Sequence, residues 1–428
     1  MDYLRGLLGM LVLLSVAYAF SINRKAIDWK LVGVGILLQM TFGILITKVP
    51  QVALLFTYIS EGFVKFLSFA NDGAKFLFSD LADVPKSGFI FAFQVLPTVI
   101  FFSAVTTGLY YLGVLQKISY GIAWLMAKTM GLSGAESLSA AGNIFLGQTE
   151  APLLVRPFIA KMTTSELMCL MTGGMATIAG SVLGSYVAFL GGDDPVRQAE
   201  VAAQLLSASI MNAPAGIVFA KMLIPETKPE LIDSELKVNQ ETLGANIIDA
   251  LAIGAGDGLK LALNIAAMLL AFIAVIALLN YMLETIGDYT TLNAIISEST
   301  NGVFSKLSME YILGQVFRLA AFVIGVEWKD TLQVGSLLGQ KTVINEFVAY
   351  VSLADLQAKE LISKKSIAIA TFALCGFSNF SSIAIQIGGI GAMAPNQQAN
   401  LSRLGLKALL AATLACMMTA TIAGALLS

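Results

Sequence analysis

Two neighbouring stretches decide how this chain folds: Ala141-Gly-Asn-Ile-Phe-Leu-Gly-Gln-Thr-Glu-Ala-Pro152 and, about one helix later, Gly173-Gly-Met-Ala-Thr-Ile-Ala-Gly-Ser-Val182. They place glycine, proline and one ionisable residue, Glu150, inside a strongly apolar chain. An ionisable side chain at membrane depth is costly and indicates a functional site. Glycine and proline predict broken helices, and irregular backbone is tolerated within a bilayer only where it is buried in protein or lines a watery cavity. We therefore expect this region to line a binding site.

A similar pattern recurs in the second half of the chain. The stretch Gln340-Lys-Thr-Val-Ile-Asn-Glu-Phe-Val-Ala-Tyr350 is followed, again about one helix later, by Cys375-Gly-Phe-Ser-Asn-Phe-Ser-Ser-Ile383. Glu346 then corresponds to Glu150. Polar-interrupted apolar segments at corresponding positions of two halves are the best sequence indication of a transporter's substrate site. The repetition weighs against the alternative that the first stretch is an ordinary interhelical loop.

Composition defines the class of protein and excludes several functions. The 428 residues are 57% hydrophobic and 13% charged, with a mean hydropathy of +0.80, which indicates a polytopic membrane protein. A net charge of −2 excludes an electrostatic nucleic-acid binder. The absence of histidine excludes histidine-based hydrolytic triads and zinc sites. The three cysteines show neither disulfide nor metal spacing.

The distribution of apolar residues predicts an all-α polytopic membrane protein with eight transmembrane helices and two re-entrant hairpins in an inverted repeat. Within 51–80, the charged residues from Glu61 to Asp80 alternate with five phenylalanines, which favours helix lying in the membrane interface. The first apolar run ends near a sequence that resembles a signal-peptidase site, but the basic residues Arg24, Lys25 and Lys30 follow it and favour a retained helix with this flank inside. The eight predicted spans are 3–20, 31–49, 89–115, 167–190, 201–224, 261–283, 367–390 and 404–427.

Two broken regions contain apolar pieces that are too short to span a bilayer and are predicted to form the hairpins. The first joins 118–131 to 136–147 and ends near Glu150, and the second lies within 310–355 with an interruption at Glu327–Asp330. Three full crossings separate them, and an odd number inverts the second hairpin relative to the first. The predicted units are 1–115 (scaffold helices and interfacial helix), 116–224 (first repeat), 225–309 (hydrophilic linker at 225–245, sixth span and further scaffold) and 310–428 (second repeat).

Three motifs carry a resemblance to a known family: Gly147-Gln-Thr-Glu-Ala-Pro152, Asn345-Glu-Phe-Val-Ala-Tyr350 and Gly376-Phe-Ser-Asn-Phe-Ser-Ser382. They resemble the signatures of the concentrative nucleoside transporter family, and the resemblance covers the other spans only by count and order. It implies a homotrimer in the bacterial inner membrane, each subunit having a scaffold and a mobile transport part. It also implies uptake of nucleosides driven by a cation gradient, through an elevator-like motion.

The resemblance further implies which residues bind the substrate. A nucleoside of the uridine, cytidine or adenosine class is neutral and rich in donors, which suits carboxylate and amide groups. The set contains no arginine or lysine, so nucleotides and dicarboxylates are not expected substrates. For Phe377 alone, core packing is an equal alternative. The residues expected at the nucleobase are Gln148, Thr149, Glu150 and Val182, and those expected at the ribose are Glu346, Asn379 and Ser382, with Phe377 beside both.

The family's sodium site corresponds here to the side chains of Asn143 and Thr177 and the backbone carbonyls of Leu146 and Ile178. Neutral oxygens at a half-helix end suit a small hard cation. Proton-coupled relatives tend to have serine at the position of Asn143, so the asparagine indicates sodium as the coupling ion, with no further cofactor. The alternative for this place is an interhelical hydrogen bond. The alternatives for function are a proton-coupled nucleoside symporter using Glu150, a channel or a proton antiporter using the two glutamates, and an intramembrane enzyme relying on the same pair.

Overall fold

The computed structural model describes residues 2–192, 194–233, 235–236 and 244–427. Parts of the predicted linker, residue 234 and residues 237–243, lie outside the described residues. The described chain is built of helices without strands, which confirms the all-α polytopic class. In the first half the helices are α1 (Asp2–Ala19), α2 (Trp29–Lys48), α3 (Pro50–Ser68), α4 (Ala70–Phe78), α5 (Val84–Ser87), α6 (Phe91–Gln94), α7 (Leu96–Tyr111), α8 (Val114–Met130), α9 (Gly134–Gly142), α10 (Arg156–Ile159), α11 (Thr164–Ala176), α12 (Gly180–Gly191) and α13 (Pro195–Leu223). In the second half they are α14 (Ile247–Tyr289), α15 (Leu292–Ser299), α16 (Met309–Val323), α17 (Thr331–Val343), α18 (Glu346–Ala358), α19 (Lys364–Leu374), α20 (Phe380–Met393) and α21 (Gln398–Leu426).

In the described part of the chain, eight segments are long and apolar enough to cross a membrane, by length and composition. The number equals the prediction, but the set differs. It includes Pro50–Ala82, which was predicted to lie in the interface, and omits the predicted span 367–390. That span is interrupted between α19 and α20, which have 11 and 14 residues against the roughly 20 that a crossing needs. The chain can cross the membrane in this region only if α19 and α20 together make one span.

The segment predicted to lie in the interface is helical but not one straight helix. It bends at Phe69, between α3 and α4. Phe66 of α3 packs against Phe101 of α7, with ring centroids 4.9 Å apart. Its interfacial position stays a prediction.

The first broken region ends its helix at another residue than predicted, and the second has the predicted interruption at Glu327–Asp330 and one break more. In the first, α9 stops at Gly142 rather than 147, and residues 143–150 form an irregular tip before the 3₁₀ segment Ala151–Val155. In the second, a further break follows α17, because the Asn345 side chain accepts a hydrogen bond from the Val348 N–H at 3.0 Å and so begins a new helix. The arms nearest the tips are therefore α9 with Ala151–Val155, and α17 with α18.

The two interrupted helices meet at their breaks. The N–H of Phe377 donates to the carbonyl oxygen of Thr177 at 3.3 Å, which joins the α19–α20 break to the α11–α12 break. Asn212 of α13 donates its side-chain amide to the carbonyls of Ala176 and Cys375, at 2.8 Å each. The thiol of Cys416 on α21 reaches the same two oxygens at 3.4 and 3.1 Å. One pair of side chains thus satisfies carbonyls that a broken helix leaves without intrahelical partners.

Helices α11, α13 and α21 form the buried centre around this crossing. Helix α1 packs against α21 and α2 against α13, whereas α7 lies along α14. The 43-residue α14 keeps most of its side chains exposed. The expected scaffold units 1–115 and 225–309 stay predictions, and α7 of the first packs along α14 of the second.

The substitution Gly376→Ala tests the close packing between the α11–α12 and α19–α20 breaks. Its backbone φ is +146°, and an added Cβ would lie 2.6 Å from the Ala176 carbonyl oxygen and 2.7 Å from the Cys416 sulfur. We expect Gly376→Ala to cost roughly 1–3 kcal/mol of stability, because both the backbone and the contacts become strained. The measurement is the melting temperature of the detergent-solubilised protein. Gly388→Ala, on an exposed part of α20 with nothing within 4 Å of its Cβ, is the matched control and should melt no lower than the unsubstituted protein.

Candidate functional site

A cavity of about 150 Å³ lies where the first hairpin tip, the start of α18 and the beginnings of α12 and α20 converge. This is about ten times the space that one water requires, so it can admit a small organic molecule. The structure brings all eight residues predicted for the substrate site to its wall. They are Gln148, Thr149, Glu150, Val182, Glu346, Phe377, Asn379 and Ser382.

Glu346 lies at the polar end of the cavity. Its carboxylate accepts hydrogen bonds from the Tyr186 hydroxyl at 3.0 Å and from the Asn379 side-chain amide at 2.9 Å. A carboxylate offers about four acceptor positions, so capacity remains for two hydroxyl groups of a ligand. Tyr186 is fully buried on α12 and stacks on Tyr350 with centroids 4.3 Å apart, which holds its hydroxyl in place. Sequence reasoning missed Tyr186, because nothing near it in the chain indicates that α12 faces the second hairpin.

Asn379 has both ends of its side chain engaged. Its oxygen caps α20, accepting from the Ser382 N–H at 2.8 Å and from the Ser381 hydroxyl at 2.7 Å. Its amide group is therefore directed at Glu346. This fixes the amide orientation, which the chemistry of an isolated asparagine leaves open.

Gln148 links the two repeats inside the cavity. Its amide donates to the Ser382 hydroxyl at 3.2 Å, and its oxygen accepts from Gln386 at 3.2 Å. Gln386 is completely buried and also donates to the Met171 carbonyl at 3.1 Å. Sequence reasoning missed Gln386, although a glutamine in the apolar run after Ser382 was a visible signal. The polar groups of the two halves thus form one hydrogen-bonded network.

Glu150 and Glu346 have different surroundings despite their similar positions in the sequence. Glu346 is buried, whereas the Glu150 side chain is exposed to the cavities at the hairpin tip. Glu150 also lines a larger cavity of about 680 Å³ that extends to Asp257 and Lys260 of α14. The Cβ that Gly147 lacks would collide with the Glu150 carboxylate, so glycine allows this side chain to fold back over the tip.

One wall of the smaller cavity is apolar and comes from α14. Sequence reasoning missed these residues, since an apolar stripe at helical spacing is also what a lipid-facing helix shows. Their side chains have no hydrogen-bonding atoms apart from a thioether. They are Leu261, Ile265, Met268 and Leu269.

The four residues predicted for sodium lie at the first hairpin tip and the α11–α12 break, all of them buried. The side chain of Asn143 packs on the last turn of α11, since a Cβ on Gly173 would lie 3.1 Å from its amide nitrogen. The Thr177 hydroxyl donates to the Gly173 carbonyl at 2.9 Å. The N–H of Gly180 donates to the Phe145 carbonyl at 3.1 Å and joins the two segments that also contain Leu146 and Ile178.

The Asn143 side-chain oxygen is buried and, among the described residues, has no hydrogen-bond partner. An unpaired buried acceptor is costly. It also lies beside the C-terminal end of α11, where the helix dipole favours positive charge. The donor set of neutral oxygens therefore fits a small monovalent cation, while the role of each ligand stays a prediction.

Three family models match this chain over most of its length. They are "Na+ dependent nucleoside transporter N-terminus" at residues 8–81, "Nucleoside recognition" at 92–193 and "Na+ dependent nucleoside transporter C-terminus" at 204–424. An uncharacterized transporter of Haemophilus influenzae is 42% identical over 99% of this chain and 98% of its own length. Sodium/nucleoside cotransporter 1 of Rattus norvegicus is 39% identical over 98% of this chain, which spans 63% of that protein.

Solved structures match the whole chain as well. CNTnw in an inward-facing substrate-bound state is 40% identical, with a TM-score of 0.89 over 100% of this chain and 98% of that chain. Substituted forms of CNTnw described as outward-facing or intermediate match with TM-scores from 0.88 to 0.91. The similarity thus extends well beyond the hairpin motifs.

Tyr186→Phe tests the hydrogen-bonded setting of Glu346. The substitution removes one donor from a buried carboxylate and changes the packed ring little, so we expect a loss of roughly 1.5–3 kcal/mol of stability. The melting temperature of the purified protein measures it. Tyr281→Phe, at a tyrosine of α14 that is 70% exposed, is the control. Equal melting temperatures for the two variants would contradict the structural role given to the Tyr186 hydroxyl.

Proposed function

The chain belongs to the Na+ dependent nucleoside transporter family, and on this premise we propose that it is a secondary active symporter that imports nucleosides with sodium. The observation that carries the proposal is the single cavity to which all eight expected substrate residues contribute. The protein is an integral membrane protein and not an enzyme. We place it in a bacterial inner membrane, as a homotrimer in which each subunit works by elevator-type alternating access.

We assign the ribose to the end of the cavity that contains Glu346. Hydroxyl groups of a sugar donate, and the carboxylate retains free acceptor positions beside Tyr186 and Asn379. The nucleobase then lies toward Gln148 and Val182. An amide side chain both donates and accepts, as the edge of a nucleobase does, and Val182 supplies an apolar surface for its ring.

Sodium couples to the substrate through the first hairpin tip in this proposal. Asn143 lies at the beginning of the tip and Gln148 near its end, so an ion that orders the tip also orders one side of the substrate cavity. Sodium and nucleoside would then tighten each other's binding by the same factor, without touching. Because the proposed ligands are neutral, each sodium carries a full charge inward. The membrane potential would add about 2.3 kcal/mol per 100 mV.

Proton coupling through Glu150 is the second candidate. The observation that favours it is the exposure of this carboxylate to the cavities at the hairpin tip, where water can deliver a proton. The unpaired oxygen of Asn143 favours sodium instead, since an amide oxygen can coordinate a cation but is too weak a base to take up a proton.

Glu346→Gln tests the ribose assignment. We expect uridine affinity to fall roughly 10- to 100-fold, because a charge-assisted hydrogen bond contributes about 1.5–3 kcal/mol and an amide retains only part of it. Calorimetric titration with uridine, 2′,3′-dideoxyuridine and uracil measures it, and the variant should discriminate less between the first two. Glu298→Gln, on an exposed face of α15, is the control. Unchanged uridine affinity in a folded Glu346→Gln protein would refute the assignment.

Asn143→Ala tests the coupling ion. Uptake of labelled uridine into proteoliposomes should require a higher sodium concentration in this variant, while nucleoside binding persists at saturating sodium. Replacing sodium by choline at constant pH should abolish uptake by the unsubstituted protein. Uptake that persists in choline and follows an imposed pH gradient would favour proton coupling through Glu150.

A further inference from the structure

Lys341 is a buried lysine in the transmembrane interior that the proposed function does not use. It lies in the last turn of α17, only 3% exposed, five residues before Glu346. Its ammonium group donates to the carbonyl oxygen of Ala373 at 2.8 Å. Among the described residues, no carboxylate lies within ion-pair distance of it. Burying an ammonium group with no carboxylate partner is costly, which indicates that Lys341 has a role beyond packing.

The location of this contact repeats that of the proposed sodium site. Gly173 and Ala373 each lie ten residues beyond the N-cap of their helices, Thr163 for α11 and Ser363 for α19. In the first repeat, Asn143 reaches from the end of α9 to Gly173. In the second repeat, Lys341 reaches from the end of α17 to Ala373. Each hairpin therefore contacts the last turn of the next broken helix at a corresponding place, by packing in the first repeat and by a hydrogen bond in the second.

The two places differ in what the hairpin side chain presents to the end of the helix. The helix carbonyls accept from protein donors at both ends, and in the first repeat Gly173 accepts from the Thr177 hydroxyl and Ala176 from Asn212. The oxygen of Asn143 in the first repeat is unpaired. In the second repeat, protein donors reach three carbonyls at the end of α19. Tyr350 donates to Thr371 at 2.9 Å, Lys341 to Ala373 and Asn212 to Cys375, both at 2.8 Å. The C-terminal end of a helix attracts positive charge, and Lys341 supplies it permanently.

We propose that Lys341 is a tethered cation that takes, in the second repeat, the place that the coupling sodium takes in the first. Its ammonium holds the second hairpin on α19, and its charge also acts favourably on the Glu346 carboxylate. The ribose half of the site is then preorganised without an ion, whereas the nucleobase half is ordered only when sodium binds. This inference rests on the proposed function and assigns a positioning role to Lys341, which does not touch the substrate.

Lys341→Gln is the informative substitution, because it replaces the ammonium by an amide oxygen of the kind that Asn143 presents. With the fixed charge removed, a second sodium should bind between this amide and the Ala373 carbonyl. Reversal potentials in proteoliposomes should show one more charge moved per nucleoside than in the unsubstituted protein, and the Hill coefficient for sodium should rise. Uridine affinity in choline should fall about tenfold or more.

Lys341→Met is the matched control, since it fills similar space but offers neither charge nor an oxygen ligand. It should lose uridine affinity, high sodium should not restore the affinity of the unsubstituted protein, and no extra charge should move. A Lys341→Gln protein that transports with the unsubstituted charge ratio and Hill coefficient overturns the inference. If this variant cannot be recovered folded, Lys341→Ser, which leaves more room for an ion, is judged by the same two quantities. Absence of sodium-dependent uptake in the unsubstituted protein would instead refute the proposed function itself.

Discussion

The structure depends on the crossing of two broken helices at the centre of the protein. Breaking a helix exposes carbonyl groups that in a membrane interior have no water to bond. Asn212 and Cys416 resolve this by donating to the carbonyls of Ala176 and Cys375 together. The hydrogen bond from Phe377 to Thr177 then joins the two breaks directly. Because the irregular segments are held at this point, they can present side chains to a cavity with little freedom.

The crossing also explains why the two halves of the site form one network. The segments after each break begin α12 and α20, and the first turns of both line the cavity. Tyr186 from the first repeat therefore reaches Glu346 of the second, and Gln386 from the second reaches Gln148 of the first. Each repeat contributes the support for the other's ligand-facing group, so neither half forms a complete site alone.

The sequence predicted which residues line the cavity better than which residues support them. All eight residues that the family resemblance implied at the substrate line one cavity. The broken helices beside them were visible in the sequence, because glycine, proline and polar residues in an apolar chain indicate broken helix locally. The end of α9 at Gly142 was placed wrongly and the break before Glu346 was missed, since apolar runs do not show where hydrogen bonding stops. Tyr186 and Gln386 were missed for a different reason. Their partners lie 160 and 238 residues away in the chain, and only packing brings them together.

One side of the cavity is polar and the side formed by α14 is apolar, and this difference affects how the site could move. Its polar groups all come from the hairpins and the broken helices, which are bonded to one another, whereas α14 contributes Leu261, Ile265, Met268 and Leu269. Leaving a buried polar group without its partner costs about 1–3 kcal/mol. A polar contact to α14 would therefore hold the site at one depth, while aliphatic side chains exchange one apolar neighbour for another at little cost. The position of α14 against an otherwise self-contained network is thus the feature that makes sliding of the whole site along this helix physically reasonable.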